Sequence, residues 1–216
     1  MAAVLLNLDD SNMPKLKLGK LSRREGIPLS PSISIAKVMS RRPYGPGVHG
    51  PKQRRGRVSI YGLQLREKQK AKLLYGLREK QFRNYYEKAI QKQGDTGELL
   101  IQSLELRLDN AVHRLGFAKT RQQSRQLVTH KFFTVNGTTV NVPSYVVRPG
   151  DVIAFKETKK AKPIMPELLK NAEEAKIPSW LQTDAKAGSG TVLSEPEGDD
   201  LNQPFDTKLI IEFYSR

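Results

Sequence analysis

Cysteine is missing from all 216 residues. Its absence excludes disulfides, thiolate metal sites and cysteine nucleophiles together, and it fits a reducing, cytoplasmic setting. No apolar run approaches the roughly 18 residues of a membrane-spanning helix, and no lipidation signal is present, so no membrane partner is expected. The opening MAAVLLNLDDSN has an apolar patch but no leading Lys or Arg and no small-residue cleavage pattern, and so does not read as a targeting peptide. Histidine is nearly as scarce: His49, His113 and His130 are the only three. None stands at metal-ligand spacing from another or in an H-E-x-x-H order, so no metal or other cofactor is expected. With no G-x-S-x-G elbow and no legible carboxylate pair, general acid–base and nucleophilic catalysis lack a candidate. The chain does not read as an enzyme.

What is present in excess is positive charge, +15 at pH 7. Its distribution is uneven: residues 1–92 hold 21 Lys/Arg against 6 Asp/Glu, whereas residues 93–216 hold 16 of each sign. The first half is therefore a surface for a polyanion joined to an electrically balanced second half, and nucleic acid is the leading partner class.

The pattern along the chain predicts an α+β protein. Residues 1–12 read as a disordered extension and 13–62, dense in Pro, Gly, Ser and Arg, as a basic irregular arm without its own core. From Leu63 to Lys92, Leu74, Tyr75, Phe82, Tyr85 and Ala89 fall on one arc at helical spacing, predicting one long helix. A second helix carries Leu104, Leu108, Ala111, Val112 and Leu115, ending at Gly116. Thr120 is an N-cap for a third over 121–130, with Gln123 at the capping-box position. FFTV-NG-TTVNV is a hairpin signal, since Asn136-Gly137 supplies the two positive-φ positions of a type I′ turn, and DVIAF is a further strand. Residues 184–206 read as a solvated linker and the closing LIIEFY as a strand packed on the first long helix. The expected domains are then a mainly helical one, 63–103 with 157–216, and an inserted module, 104–156, of two helices on a short antiparallel sheet.

Two motifs imitate chemistry. GPGVHG at 45–50 spells a dinucleotide fingerprint, but no strand precedes it, Pro51 separates Gly50 from Lys52, and Gln53 stands where a Mg²⁺-binding hydroxyl belongs. RLD at Arg107–Asp109 and HRLG at His113–Gly116 each match part of the H-R-L-D signature of RNA pseudouridine synthases. The first has Leu106 in place of His and the second Gly116 in place of the catalytic Asp.

Three longer blocks carry a resemblance. RRPYGPGVHG at 41–50 runs into YGLQLREKQKAKLLYGLREKQFRNYY at 61–86, LELRLDNAVHRLGFAKTRQQSRQLVTHKFFTVNGTTVNVPSYVVRPGDVI spans 104–153, and IPSWL with LIIEFYSR closes the chain. In this order and spacing they resemble the S-four family of small-subunit ribosomal proteins, bacterial type. The resemblance implies a primary binder of small-subunit rRNA, seated at a multi-helix junction of the 5′ domain, that nucleates assembly of the body and contributes to decoding accuracy. It implies protein S-five as a neighbour, mRNA contact at the channel through which it enters and, in some members, repression of their own operon's mRNA. Many members carry zinc-binding cysteines in the N-terminal arm; LSRREGIPLSPSISIAKVMS has none, which implies a metal-free version. Lys131 stands where the family commonly has glycine.

The candidate RNA contacts follow. Arg41, Arg42, Arg54, Arg55 and Arg57 lie in the arm, which RNA would order. His49 sits in its glycine-rich turn, and Tyr44 would stack on a base or pack under the arm. Lys68 and Lys72 project from the first long helix. Arg107, Arg114, Lys119, Arg121, Arg125 and Lys131 are expected to converge on one face of the module, with Gln122 a further RNA contact and His130 contacting RNA or capping its helix. Phosphate neutralisation would supply affinity and junction shape the specificity. A free-standing RNA-binding regulator or ribosome-associated factor using the same module is the alternative.

Overall fold

The computed structural model describes residues 17–51 and 59–215. The expected extension 1–12 and the candidates Arg54, Arg55 and Arg57 lie outside these residues. Within them the protein is α+β, and its two apolar cores meet near residue 105.

The stretch expected to be irregular contains two helices, α1 (Leu18–Glu25) and α2 (Ile33–Arg41). They carry little apolar core, which hid them in the sequence, and polar contacts hold them. The buried Ser22 hydroxyl accepts from Leu29 N–H at 3.2 Å, and the buried Glu25 carboxylate takes Arg66 at 3.1 Å. The single helix expected over 63–92 is two, α3 (Ile60–Leu74) and α4 (Glu79–Ile90). Gly76 at φ +63° turns the chain, and Leu77 N–H closes back on Lys72 C=O at 2.9 Å, a Schellman end. Phe82 and Ala89 point into the core as the spacing required, but Tyr85, expected beside them, is half-buried and Tyr86 takes the buried position.

Asp95 caps α5 (Thr96–Glu105), accepting from Gly97 and Glu98 N–H. The helix expected through 104–115 breaks after Glu105, because Arg107 goes extended and bridges to Val146, with Val147 N–H donating to Leu106 C=O and Leu108 N–H to Tyr145 C=O. A new helix, α6 (Leu108–Arg114), follows. The break lets Leu104 face one core and Leu108 the other. Thr120 caps α7 (Arg121–Thr129), its Oγ1 accepting from Gln123 N–H. Gln123 Oε1 accepts from Lys119 N–H, one residue before the box position. The hairpin forms β1 (Phe133–Val135) and β2 (Thr138–Thr139), with Asn136 and Gly137 at φ +50° and +78°. β3 (Val152–Phe155) pairs antiparallel with β1.

After a short α8 (Glu157–Lys160) and α9 (Met165–Glu174), the expected linker proves to be structured. β4 (Leu181–Asp184) and β5 (Ser189–Val192) complete an antiparallel sheet of order β2-β1-β3-β5-β4, and a 3₁₀ turn follows at Gly198–Leu201. Its small residues serve packing: a Cβ on Gly190 would meet the Leu115 side chain at 2.5–2.8 Å. The second part of the helical domain is therefore shorter than 157–216, since Met165, Leu168, Trp180, Leu181 and Val192 belong to the core of the lobe. Only the last segment returns, and as helix α10 (Thr207–Tyr214) rather than a strand. Asp206 caps it, and Ile210 buries with Phe82, Leu100 and Leu104. It packs on α3, where the strand was expected.

Candidate nucleic-acid interface

A buried carboxylate organises the junction between the cores. Glu105, the last residue of α5, is inaccessible to solvent. It accepts from Arg114 Nε and Nη2, both at 2.9 Å, from Tyr75 Oη at 2.6 Å, Asn110 Nδ2 at 2.8 Å and Gln203 Nε2 at 3.2 Å. The end of α3, helix α6 and the C-terminal segment are thus tied to one side chain. Burial by itself would raise the Glu105 pKa, but the Arg114 hydrogen bonds and charge, with Arg121 and Tyr75, outweigh it and hold the carboxyl below its ordinary value. Arg114 is fixed from beneath, so its role in the structure is first that of a counter-ion.

Two other candidates are also drawn inward. Arg107 is 3% exposed, holds Asp109 through Nε at 3.0 Å and Nη2 at 2.6 Å, and donates to Tyr85 Oη at 2.7 Å. Lys68 is 5% exposed, ion-paired to Glu79 at 2.6 Å and 4.2 Å from the Phe213 ring centroid. A side chain neutralised and enclosed in this way cannot reach an RNA phosphate, and both expectations are corrected. Lys72 shares Glu79 at 3.1 Å, and Lys119 pairs with Glu167 at 2.6 Å from an exposed position. The expected convergence of Arg107, Arg114, Lys119, Arg121, Arg125 and Lys131 on one face is accordingly not met as a whole.

What the fold does bring together is the polar face of α7. Arg121, Gln122, Arg125 and His130 line a cleft of about 500 Å³ whose other side is Leu29, Leu73 and Leu74. Arg121 is half-buried, its guanidinium 5.0 Å from the Tyr75 ring centroid, with Nε donating to Asn110 Oδ1 at 2.8 Å. It has no carboxylate ion pair among the described residues, and burial, foremost, lowers its pKa. Arg125 Nη1 reaches Gly76 C=O at 3.4 Å, a weak tie. His113 also lines the cleft. Burial and then the nearby Arg121 charge depress its pKa to about 4, so it is neutral at pH 7 and its Nδ1 donates to Ala118 C=O at 3.1 Å. Gln122, His130 and Lys131 are exposed, the last at φ +59°.

In the arm, Arg41, Arg42, Tyr44 and His49 are exposed around the 42–51 loop. Sequence reasoning missed Arg23, which holds this loop. Its Nε donates to Arg42 and Tyr44 C=O at 3.0 Å, its Nη2 to Gly45 C=O at 3.2 Å, and it lies 5.1 Å from the Tyr44 ring centroid. Gln126 and Thr129 of the cleft were also missed. Their spacing from Gln122 at i+4 and i+7 put all three on one helix face, a signal available in the sequence. Among the described residues no group of three His, Asp or Glu is placed to hold a metal ion.

The cleft thus lies at the seam between two family models. Residues 15–105 match the Ribosomal protein S4/S9 N-terminal domain and 106–153 the S4 domain, so the seam falls at Glu105. The "Small ribosomal subunit protein uS4" of Chlorobium luteolum is 48% identical over 197 residues, covering 91% of this chain and 96% of that protein. The protein of the same name from Aquifex aeolicus is 50% identical over 201 residues, covering 91% and 95%. The chain belongs to the uS4 family of small-subunit ribosomal proteins. Members of that family are structural components and not enzymes, which disposes of the pseudouridine-synthase likeness, and Asp109 is seen here as the counter-ion of Arg107.

Proposed function

We propose that this chain is a constituent of the small ribosomal subunit that binds its rRNA as a primary contact, at a multi-helix junction of the 5′ domain, and so nucleates assembly of the body. Family membership supports the ribosomal setting, in the cytoplasm, and the S4 domain supports RNA as ligand. The observation that carries the RNA reading is the sorting of the cations. Arg107, Arg114 and Lys68 are consumed by internal carboxylates, whereas Arg121 and Arg125 of the cleft have no ion-pair partner among the described residues. Together with exposed Arg41, Arg42, His130 and Lys131 they are available to phosphates, and Arg54, Arg55 and Arg57 join the proposal on their sequence alone. Placement beside S-five, contact with entering mRNA, a part in decoding accuracy and repression of the chain's own operon mRNA belong to the same reading through the family resemblance.

Binding of a 5′-domain junction transcript should fall steeply with salt, log Kd changing by about 4–5 per decade for roughly six neutralised phosphates. A slope near one would overturn the reading. The alternative, a free-standing regulator, predicts loss of the tagged protein from small subunits in high-salt gradients; co-sedimentation would exclude it.

A further inference from the structure

We infer that the cleft between α7 and the α3 end takes one unpaired nucleotide extruded from the bound RNA. The inference rests on the RNA reading above and deepens it. At about 500 Å³ the cleft falls within the roughly 300–1,000 Å³ of pockets that enclose a small molecule. One side offers the flat apolar surface of Leu29, Leu73 and Leu74, and the other the hydrogen-bonding face of Gln122, Gln126 and Thr129.

Arg121 identifies the ligand's chemistry. Among the described residues only its Nε is engaged, and its two terminal nitrogens are not among the buried polar atoms lacking a partner, which leaves them facing the cleft. The Nε bond to Asn110 and the Tyr75 ring, 5.0 Å away at its centroid, restrain the guanidinium. A fixed fork of donors matches a phosphate or the O6/N7 edge of guanine. The other charges facing it are accounted for: Asp109 is held by Arg107, Glu105 by Arg114, and His113 is neutral. Helical RNA is too broad to enter, whereas an unstacked base presents a π face to the leucines and polar edges to α7, as single-stranded sites on RNA do in general.

The test uses the full chain, a transcript of the small-subunit rRNA 5′ domain and chemical probing of each nucleotide. Wild type should protect one unpaired nucleotide beyond the backbone contacts. Leu73→Ser, a charge-neutral change at a half-buried wall position, should restore its reactivity and weaken binding about tenfold with the salt slope unchanged. Arg121→Lys, which keeps the charge and loses the fork, should restore it too. Thermal melting checks that both variants are folded. Unchanged footprint and affinity in both, with a steep wild-type slope, would overturn this inference and leave the RNA reading standing. A shallow wild-type slope would overturn both. Titration with 5′-GMP forms the last arm: amide shifts on α7 with no protected nucleotide in the transcript would assign the cleft to a free nucleotide and overturn the inference.

Discussion

Lys131 holds a left-handed backbone, φ +59°, so the turn bears the strain of a Cβ there. Lys131→Gly should therefore stabilise the fold by about 0.5–1 kcal/mol in urea melts while weakening RNA binding by one charge. At Glu105 the balance is reversed. Glu105→Ala removes the buried acceptor shared by Arg114, Tyr75 and Asn110, leaves the last two without it, and should cost about 2–3 kcal/mol of unfolding free energy. His113 adds a pH dependence. Its folded pKa of about 4 lies below the ordinary 6.5, so the unfolded chain binds the proton first. Stability is thus fully present above pH 6.5 and is lost as pH falls towards 4, by about 3 kcal/mol; His113→Gln should flatten that part of the pH profile. The depressed Glu105 carboxyl has the same sign and acts at lower pH. The sequence marked Arg107, Arg114 and Lys68 as charges without showing where they pointed. Burial decided that each would serve a carboxylate.

Among the elements, those governed by short-range chemistry were legible: the Thr120 cap, the Asn136-Gly137 turn and strand β3 all stand where local rules put them. Those that misled were of two kinds. A short apolar run such as LIIEFY fits either a strand or a helix, and only the Asp206 cap and the groove formed by α3 and α5 chose the helix. A Gly- and Ser-rich run reads as a linker until a neighbour needs the space. Gly190 lies under Leu115, where β5 pairs with β3. Gly190→Ala should accordingly destabilise the lobe by about 1–3 kcal/mol through overpacking, seen as lost hydrogen-exchange protection across β3 and β5. A true flexible linker would tolerate the same change.

Over the whole molecule, two cores share one carboxylate. The core of α3, α4 and α5 is closed by α10, from the far end of the chain, while the lobe buries Phe117, Phe133, Phe155 and Trp180 on its own. Truncation before Asp206 should therefore abolish protection of the α3–α5 amides and leave the lobe's sheet protected, so that the lobe's unfolding transition alone remains. Loss of both together would show that the cores do not stand apart. The sequence by itself determined the class of fold, helix α7 and strands β1 to β3 in their order, the basic character of the first half and the absence of catalytic chemistry, because composition, periodicity and turn residues act locally. Only the tertiary structure decided which arginines face solvent, that the supposed linker completes the sheet, and that α7 and the α3 end enclose a cleft. Each of those depends on contacts between residues distant along the chain, which no local pattern encodes.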